Sequence, residues 1–499
     1  MKSRFWTILA LAVIASMVIL TGCGPAPAAT KAPEAATAAP AQVPTAAQAA
    51  EPTATPVPPK AAEPVKVTIF VGLGTGSDPA QIEVHKQIAD EFNSTHQDIQ
   101  LEFLTVPYEE RLTKFSTMLA GDMAPDIAMP IGVGGIAEFY DEWIDIKPFI
   151  DADKYDMSDF FGTTVQIHTY PGKGILGLPL CVYPTGVFYN QDLFDAAGVE
   201  YPPVKFGDPY ADGSPWTYDK VVEIAKKLTK DSAGNDANSP AFNWEKTVQW
   251  GWDGWDWENG IKPWVQKFGD TRPTAVSEDG KMSLVNTKPW IDQMQFTKDT
   301  VWTWHVRAST EQGGTLSDAT GDPMGSGKIG MWEIHSWIGY AWPSWKSSFN
   351  WNVAAVPSVG SNKIVAPVDA DTFVIPKSSK HQKEAWEVVK WMFQPDIMVK
   401  LTKNYSCIPA RKTLAASWVD EMKKEYPDVH FEVFLDSLNY IDNPNHEAWT
   451  PAYTKINDAM TIATDQILTG QNLDVQAVME SLNAEVQGYL DEYWATKKE

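Results

Sequence analysis

Trp250-Gly251-Trp252-Asp253-Gly254-Trp255-Asp256-Trp257 interleaves indole rings with carboxylates over a single short run. An indole face stacks on the C–H face of a sugar ring, while a carboxylate accepts from its hydroxyls. The same pair attracts a cation through ring face and charge. Trp252, Trp255, Asp253 and Asp256 are therefore candidate ligand contacts, and the flanking Gly251 and Gly254 suggest an exposed turn. The chain carries 22 tryptophans, so indoles remain for a ligand even if most of them pack a core. Trp449 is a further aromatic candidate near the C-terminal end.

Other chemistries are poorly served. The 8 histidines are scattered, and neither they nor the 3 cysteines show metal-ligand spacing. Gly72-Leu73-Gly74-Thr75-Gly76 lacks the Lys-Ser/Thr of a P-loop and the spacing of the dinucleotide fingerprint. It reads instead as a loop whose backbone approaches a ligand or the facing lobe, with Gly74 and Thr75 as candidate contacts. There is no nucleophile elbow or zincin motif. Paired carboxylates of a secreted glycosidase would sit across a cleft, but acidic pairs are too plentiful here to single one out. No enzymatic activity and no cofactor are expected. The net charge of −24 argues against nucleic acid and anionic lipid as partners.

The elements that must position these residues read as α/β. Val65, Val67, Ile69 and Val71 alternate as a strand, followed by the Gly72–Ser77 loop. Asp78 to Ser94 carries Ile82, Ile88, Ala89 and Phe92 near helical spacing. Ile99, Leu101 and Phe103 form a second strand, Glu109 to Ala120 a second helix with Leu112, Phe115 and Leu119 on one face, and Asp126 to Met129 a third strand. A βαβαβ order predicts parallel strands with right-handed crossovers. Ligands of such sheets sit at the carboxyl ends of the strands, which directs attention to Gly72–Ser77, Val106–Tyr108 and Pro130–Gly135. Tyr108 and Glu110, just after the second strand, join the candidates.

The N-terminus is of another kind. Lys2 and Arg4 precede an apolar run from Phe5 to Leu20, which ends in Leu20-Thr21-Gly22-Cys23. That is the order of an export signal, and the run is shorter than the roughly 20 residues of a membrane span. Its end resembles a bacterial lipobox, which implies that Cys23 is lipidated and becomes the first mature residue, anchored to the outer face of the membrane. Residues 24–64 are almost wholly Ala, Pro, Thr and Gln, a composition that cannot offset its ordering entropy and acts as a semi-extended spacer. Roughly 435 residues follow, enough for two or three lobes. Cys181 and Cys407 either pair in an exported protein or remain buried thiols.

Several motifs occur in one family's order. Gly121-Asp122-Met123-Ala124-Pro125-Asp126-Ile127 resembles a G-D-x-P-D-[IV] turn. Gly177-Leu178-Pro179, then Thr185-Gly186-Val187-Phe188-Tyr189-Asn190-Gln191-Asp192-Leu193-Phe194, resembles a G-x-P…Y-N-x-D-L-F segment. Ala197-Gly198 and Trp216-Thr217-Tyr218-Asp219 follow. Gly327-Lys328-Ile329-Gly330-Met331 before Trp337, Asp371-Thr372-Phe373-Val374-Ile375-Pro376-Lys377, and Ile408-Pro409-Ala410-Arg411 complete the series. From Val65 to Leu490 the chain resembles the extracellular solute-binding proteins of ABC importers, in the sugar-binding group that includes maltose-binding protein.

The resemblance implies a type II-like periplasmic-binding-protein fold. Its two lobes would each be a mainly parallel sheet flanked by helices, with the ligand between them. One lobe would comprise 65–180 plus 372–412 and the other 186–365 plus 440–499, with hinge crossings near 180–185, 366–372 and 412–440. It also implies a monomeric sugar binder that delivers its ligand to membrane permease subunits with a cytoplasmic ATPase. Trp337 matches the family's stacking platform, with His335 and Ser336 in the same loop. Tyr183 stands in the hinge segment where maltose-binding protein has a carboxylate, and Asp369 and Asp371 sit at the second crossing. Pro130 to Gly134 replaces the family's Trp and Asp-Arg, so maltose-specific contacts are absent. A cationic solute such as a betaine or polyamine remains the alternative ligand.

Overall fold

The computed structural model describes residues 63–170, 172–254, 257–258, 262–263, 275–314, 316, 322–359, 364–441 and 450–497. Cys23, the spacer up to residue 62, Trp255, Asp256 and Trp449 lie outside the described residues.

Strand β1 (Val65–Val71), helix α1 (Pro79–Thr95), strand β2 (Ile99–Thr105), helix α2 (Arg111–Ala120) and strand β3 (Ile127–Ile131) form in the order that the periodicity predicts, and a short helix α3 (Val133–Glu138) that it does not predict follows. β1 runs parallel to β2 over its full length and parallel to β3. Pro79 at the start of α1 has no N–H to lose there, and Gln81 Oε1 accepts from Asp78 N–H at 3.2 Å. The buried face of α1 is His85, Ile88 and Phe92. Ile82, expected on that face, is exposed, and His85 takes the inward position one turn later.

The chain then enters β4 (Pro179–Asn190), a strand of 12 residues that is buried throughout. Helix α4 (Tyr218–Leu228), the short strand β5 (Asp253–Gly254), helix α5 (Lys288–Trp302), β6 (Met331–His335), β7 (Trp351–Ala354) and β8 (Val368–Val374) follow. Helices α6 (Gln382–Met392) and α7 (Pro395–Asn404), β9 (Ile408–Pro409), α8 (Lys412–Glu425), α9 (Tyr453–Thr469) and α10 (Val475–Thr496) complete the order. The main sheet runs β2-β1-β3-β8-β4-β6-β5, with β7 and β9 also paired to β4.

Parallel pairs lie towards the two ends of this order, at β2-β1-β3 and at β6-β5. The middle is antiparallel, because β4 and β8 run past one another from Val368 opposite Pro184 to Asp371 opposite Cys181. The first half of β4 is held by β8 and β9, the second half by β6 and β7. The segments expected to be the first two crossings are thus hydrogen-bonded neighbours. Cys181 and Cys407 are disulfide-bonded with Cα atoms 5.5 Å apart, which settles the two readings of these cysteines in favour of pairing and ties the first half of β4 to the start of β9.

Helices α9 and α10 pack on α5, where Lys298 Nζ donates to Leu473 O at 2.6 Å and Trp302 Nε1 to Ile467 O at 3.2 Å. Their apolar residues Ile456, Met460 and Met479 share one core cluster with Phe70, Phe115 and Trp290.

Candidate ligand-binding cleft

A cavity of about 550 Å³ opens at the carboxyl ends of β1, β2 and β3. The loops that follow these strands line it through Gly74, Thr75 and Asp78, through Tyr108 and Arg111, and through Gly132 and Gly134. Tyr183 of β4 and Asp369 and Asp371 of β8 form another wall, with Trp337 beyond β6. Tyr453, Asn457 and Asp458 enter from the start of α9.

Alternation along β8 puts Asp369 and Asp371 on one face, and they are 8 % and 6 % exposed. Register sets Tyr183 opposite Asp369, and the Tyr183 hydroxyl donates to Asp371 Oδ2 at 3.4 Å. Burial first, and then the negative charges of Asp371 and Asp369, push the Tyr183 phenol well above its ordinary pKa. It therefore stays protonated and serves as a donor. Asp369 Oδ1 accepts from Ala370 N–H at 2.8 Å. Gly132 gives Asp371 room, since a Cβ there would lie 3.0 Å from Asp371 Oδ1.

The mouth carries a cation. The Arg111 guanidinium lies 3.4 Å above the Tyr108 ring, and its Nη1 donates to Tyr108 O at 2.6 Å. Thr75 Oγ1 accepts from Gln81 Nε2 at 3.2 Å, and the same amide donates to Asn404 O at 3.0 Å, so α7 steadies the glycine-rich loop. Behind the loop, His85 Nε2 is 2.7 Å from the Tyr405 hydroxyl, and its ring stacks on Phe103. Burial lowers the His85 pKa to about 4, so this layer is uncharged near neutrality.

Of the sequence candidates, Gly74, Thr75, Tyr108, Tyr183, Trp337, Asp369 and Asp371 come together around the cavity. Trp337 is half-buried in the 3₁₀ stretch after β6. His335 and Ser336 turn into the interior and do not line the cavity. Thr185 donates its one proton to Pro367 O at 2.6 Å, which leaves its oxygen to accept from His335 Nδ1 at 2.8 Å and fixes that tautomer. Glu110 is exposed at the head of α2, outside the lining.

Over its described part, Trp250–Gly254, the Trp-Asp run is not the exposed turn expected of it. Trp252 is buried, packs edge-on to Tyr218, and donates its backbone N–H to Val306 O. Asp253 pairs with Arg307 at 2.8 Å. Gly251 is needed for packing: a Cβ there would lie 2.0 Å from Ala225 O of α4. Arg411 is held within the fold by Tyr155 and Asp159.

Sequence reasoning missed Asp78, Arg111, Tyr453, Asn457 and Asp458 in the lining. Arg111 follows Tyr108 by three positions, within a helical turn, a signal that was available. The α9 residues carry no local signal, because they reach the cavity only through tertiary packing. Among the described residues no group of three or more His, Cys, Asp or Glu could hold a metal ion.

The profile for bacterial extracellular solute-binding proteins matches residues 79–399. The chain belongs to this family. A putative binding protein of Brucella abortus is 22% identical over 424 residues, which span 81% of this chain and 89% of the relative. Among solved structures, the ABC substrate-binding protein of Listeria monocytogenes in complex with cycloalternan superposes with a TM-score of 0.66 at 20% identity, covering 86% of this chain and all of the other. The cyclic α-maltosyl-1,6-maltose binding protein of Arthrobacter globiformis superposes with a TM-score of 0.63 at 17% identity over the same share of each. At these identities the superpositions establish the α/β two-lobed periplasmic-binding-protein fold. The family and these neighbours are binding proteins rather than enzymes.

Proposed function

We propose that this extracellular solute-binding protein is the sugar-binding subunit of an ABC importer, anchored outside the membrane through lipidated Cys23. The observation that carries the reading is a cavity lined by Trp337 together with the hydrogen-bonding groups Tyr183, Asp369 and Asp371. The indole offers a stacking face and the polar trio a hydrogen-bonding edge, which is the division of labour a sugar ring requires. The saccharide ligands of the Listeria and Arthrobacter proteins support the same class.

In this reading Gly74, Thr75 and Tyr108 complete the contacts on the β1–β3 side. The paired strands β4 and β8 are the hinge. Ligand that touches both sides favours closure, because only contacts made in the closed state shift that equilibrium. The closed form is what the permease receives, and the chain works as a monomer.

The test is a thermal-shift and calorimetric survey of mono- and oligosaccharides, with betaine and spermidine as cationic arms. A sugar that raises the melting temperature and binds with little salt dependence supports the reading. Binding confined to the cationic arms and weakened by salt replaces it with the cationic-solute reading, which the Asp78, Asp369, Asp371 and Asp458 carboxylates of the lining favour. A Cys23→Ala chain that stays with the membrane fraction removes the lipid anchor.

A further inference from the structure

A second cavity, of about 510 Å³, lies beside the first. Tyr453 lines both. On α2, Leu112 lines the first cavity while Ser116 and Ala120, at four-residue steps on the same face, line the second. On α3 the N-terminal glycines belong to the first and Ala137 and Glu138 to the second. The two therefore lie in succession along the ten residues of α2, a rise of about 15 Å. Tyr453 stands between them.

The second stretch has its own recognition chemistry. Phe139, Tyr140 and Tyr493 bring aromatic surface to it, and Glu138 accepts from Thr454 Oγ1 at 2.5 Å on its rim. Thr450 lines it, is 2 % exposed, and its hydroxyl has no hydrogen-bond partner among the described residues. A buried hydroxyl without a partner is unfavourable, and a ligand hydroxyl entering this stretch would satisfy it. The far end is closed by Asp141, whose carboxylate lies 2.7 Å from Lys497 Nζ and 2.6 Å from Lys173 Nζ. Those ammonium groups hold the Asp141 carboxyl down at about pKa 2 against the effect of burial. The Asp141 charge is thus answered within the protein, and the aromatic wall with the Thr450 hydroxyl suits a polyhydroxylated unit.

We propose that the ligand is an oligosaccharide long enough to pass Tyr453, with sugar units beyond it held in the second cavity by the hydroxyl of Thr450 and the aromatic wall. This rests on the sugar reading of the first cavity and adds ligand length to it. Each cavity alone falls within the usual range for small-molecule sites.

The experiment is calorimetry of the full chain with gluco-, manno- and galacto-oligosaccharide ladders of increasing length, repeated with Ser116→Trp, which fills the second cavity from α2, and with Thr450→Val. Affinity of the wild type should rise past the length that fills the first cavity. Ser116→Trp should leave the shortest bound member unchanged and weaken the longer ones by about tenfold or more. Thr450→Val should weaken only the longer ones, by a few-fold, and decides the matter if the tryptophan variant does not fold. A wild-type affinity that stops rising at the shortest bound member overturns the proposal and leaves the sugar reading standing. Equal effects on short and long members, or no effect of either variant, also overturn it. Binding of no ladder member overturns both.

Discussion

Two regions advertise tryptophan, and they use it in opposite ways. In the run from Trp250 to Trp257, Trp252 is buried under α4 and Asp253 is engaged by Arg307. After β6, Trp337 is half-buried at a cavity wall beside two buried carboxylates. Density of aromatic residues marks a core that needs volume. Position, at the end of a strand that borders a cleft, marks a surface offered to a ligand.

That contrast can be broken most sharply by truncating each ring. Trp252→Ala should lose about 3–5 kcal/mol of stability, the cost of emptying a buried aromatic site, while the folded fraction binds ligand as before. Trp337→Ala should melt close to the wild type and lose about 2 kcal/mol of binding, the scale of an aromatic anchor. Denaturant titration and calorimetry on both variants separate the cases, and a Trp252→Ala protein that folds normally but fails to bind would reverse them.

The cleft wall itself has a covalent support, with Cys181 next in register to Asp371. Reducing the Cys181–Cys407 bond, or replacing both residues by Ser, should cost about 2–5 kcal/mol in chemical denaturation.

The layer behind the glycine-rich loop should show itself through pH. His85 is held near pKa 4 by burial, whereas the unfolded side chain titrates near 6.5. Between those values the unfolded state binds more protons, so stability falls as pH drops from about 6.5 to 4 and this contribution levels off below that. His85→Gln should flatten the decline by about 3 kcal/mol, read from melts across the window.

Smallest is the effect of the Tyr183 phenol within the polar trio. Asp371→Ala should weaken ligand binding by about 1.5–3 kcal/mol, and Tyr183→Phe by about 1 kcal/mol. A Tyr183→Phe effect larger than that of Asp371→Ala would mean that the phenol, rather than the carboxylate, meets the ligand.

Much of this was legible in the residues, for a reason that also sets its limit. Alternating β1, β2 and β3 and the helices between them announce themselves by period, and parallel strands send ligands to their carboxyl ends. The loops at Gly74–Asp78, Tyr108 and Gly132–Gly135 follow from that rule. Period alone could not say that α1 would turn His85 inward and leave Ile82 in water. Nor could spacing say that Gly251 serves a backbone contact with Ala225, or that α9 would bring Tyr453, Asn457 and Asp458 to a cleft built mainly from residues far earlier in the chain. The Cys181–Cys407 link, with 226 positions between its ends, was equally open until β9 was laid beside β4.

β4 has a consequence for how the molecule comes into being. Its neighbours are Met331–His335, Trp351–Ala354, Val368–Val374 and Ile408–Pro409, all synthesised long after Asn190. Pairing across such separations raises contact order and slows folding. The central strand thus has no partner until Met331–His335 has been made, and its first half lacks its second neighbour until Pro409. The β1–β3 end of the sheet can form early, but the sheet cannot be completed through its centre until most of the chain has been made.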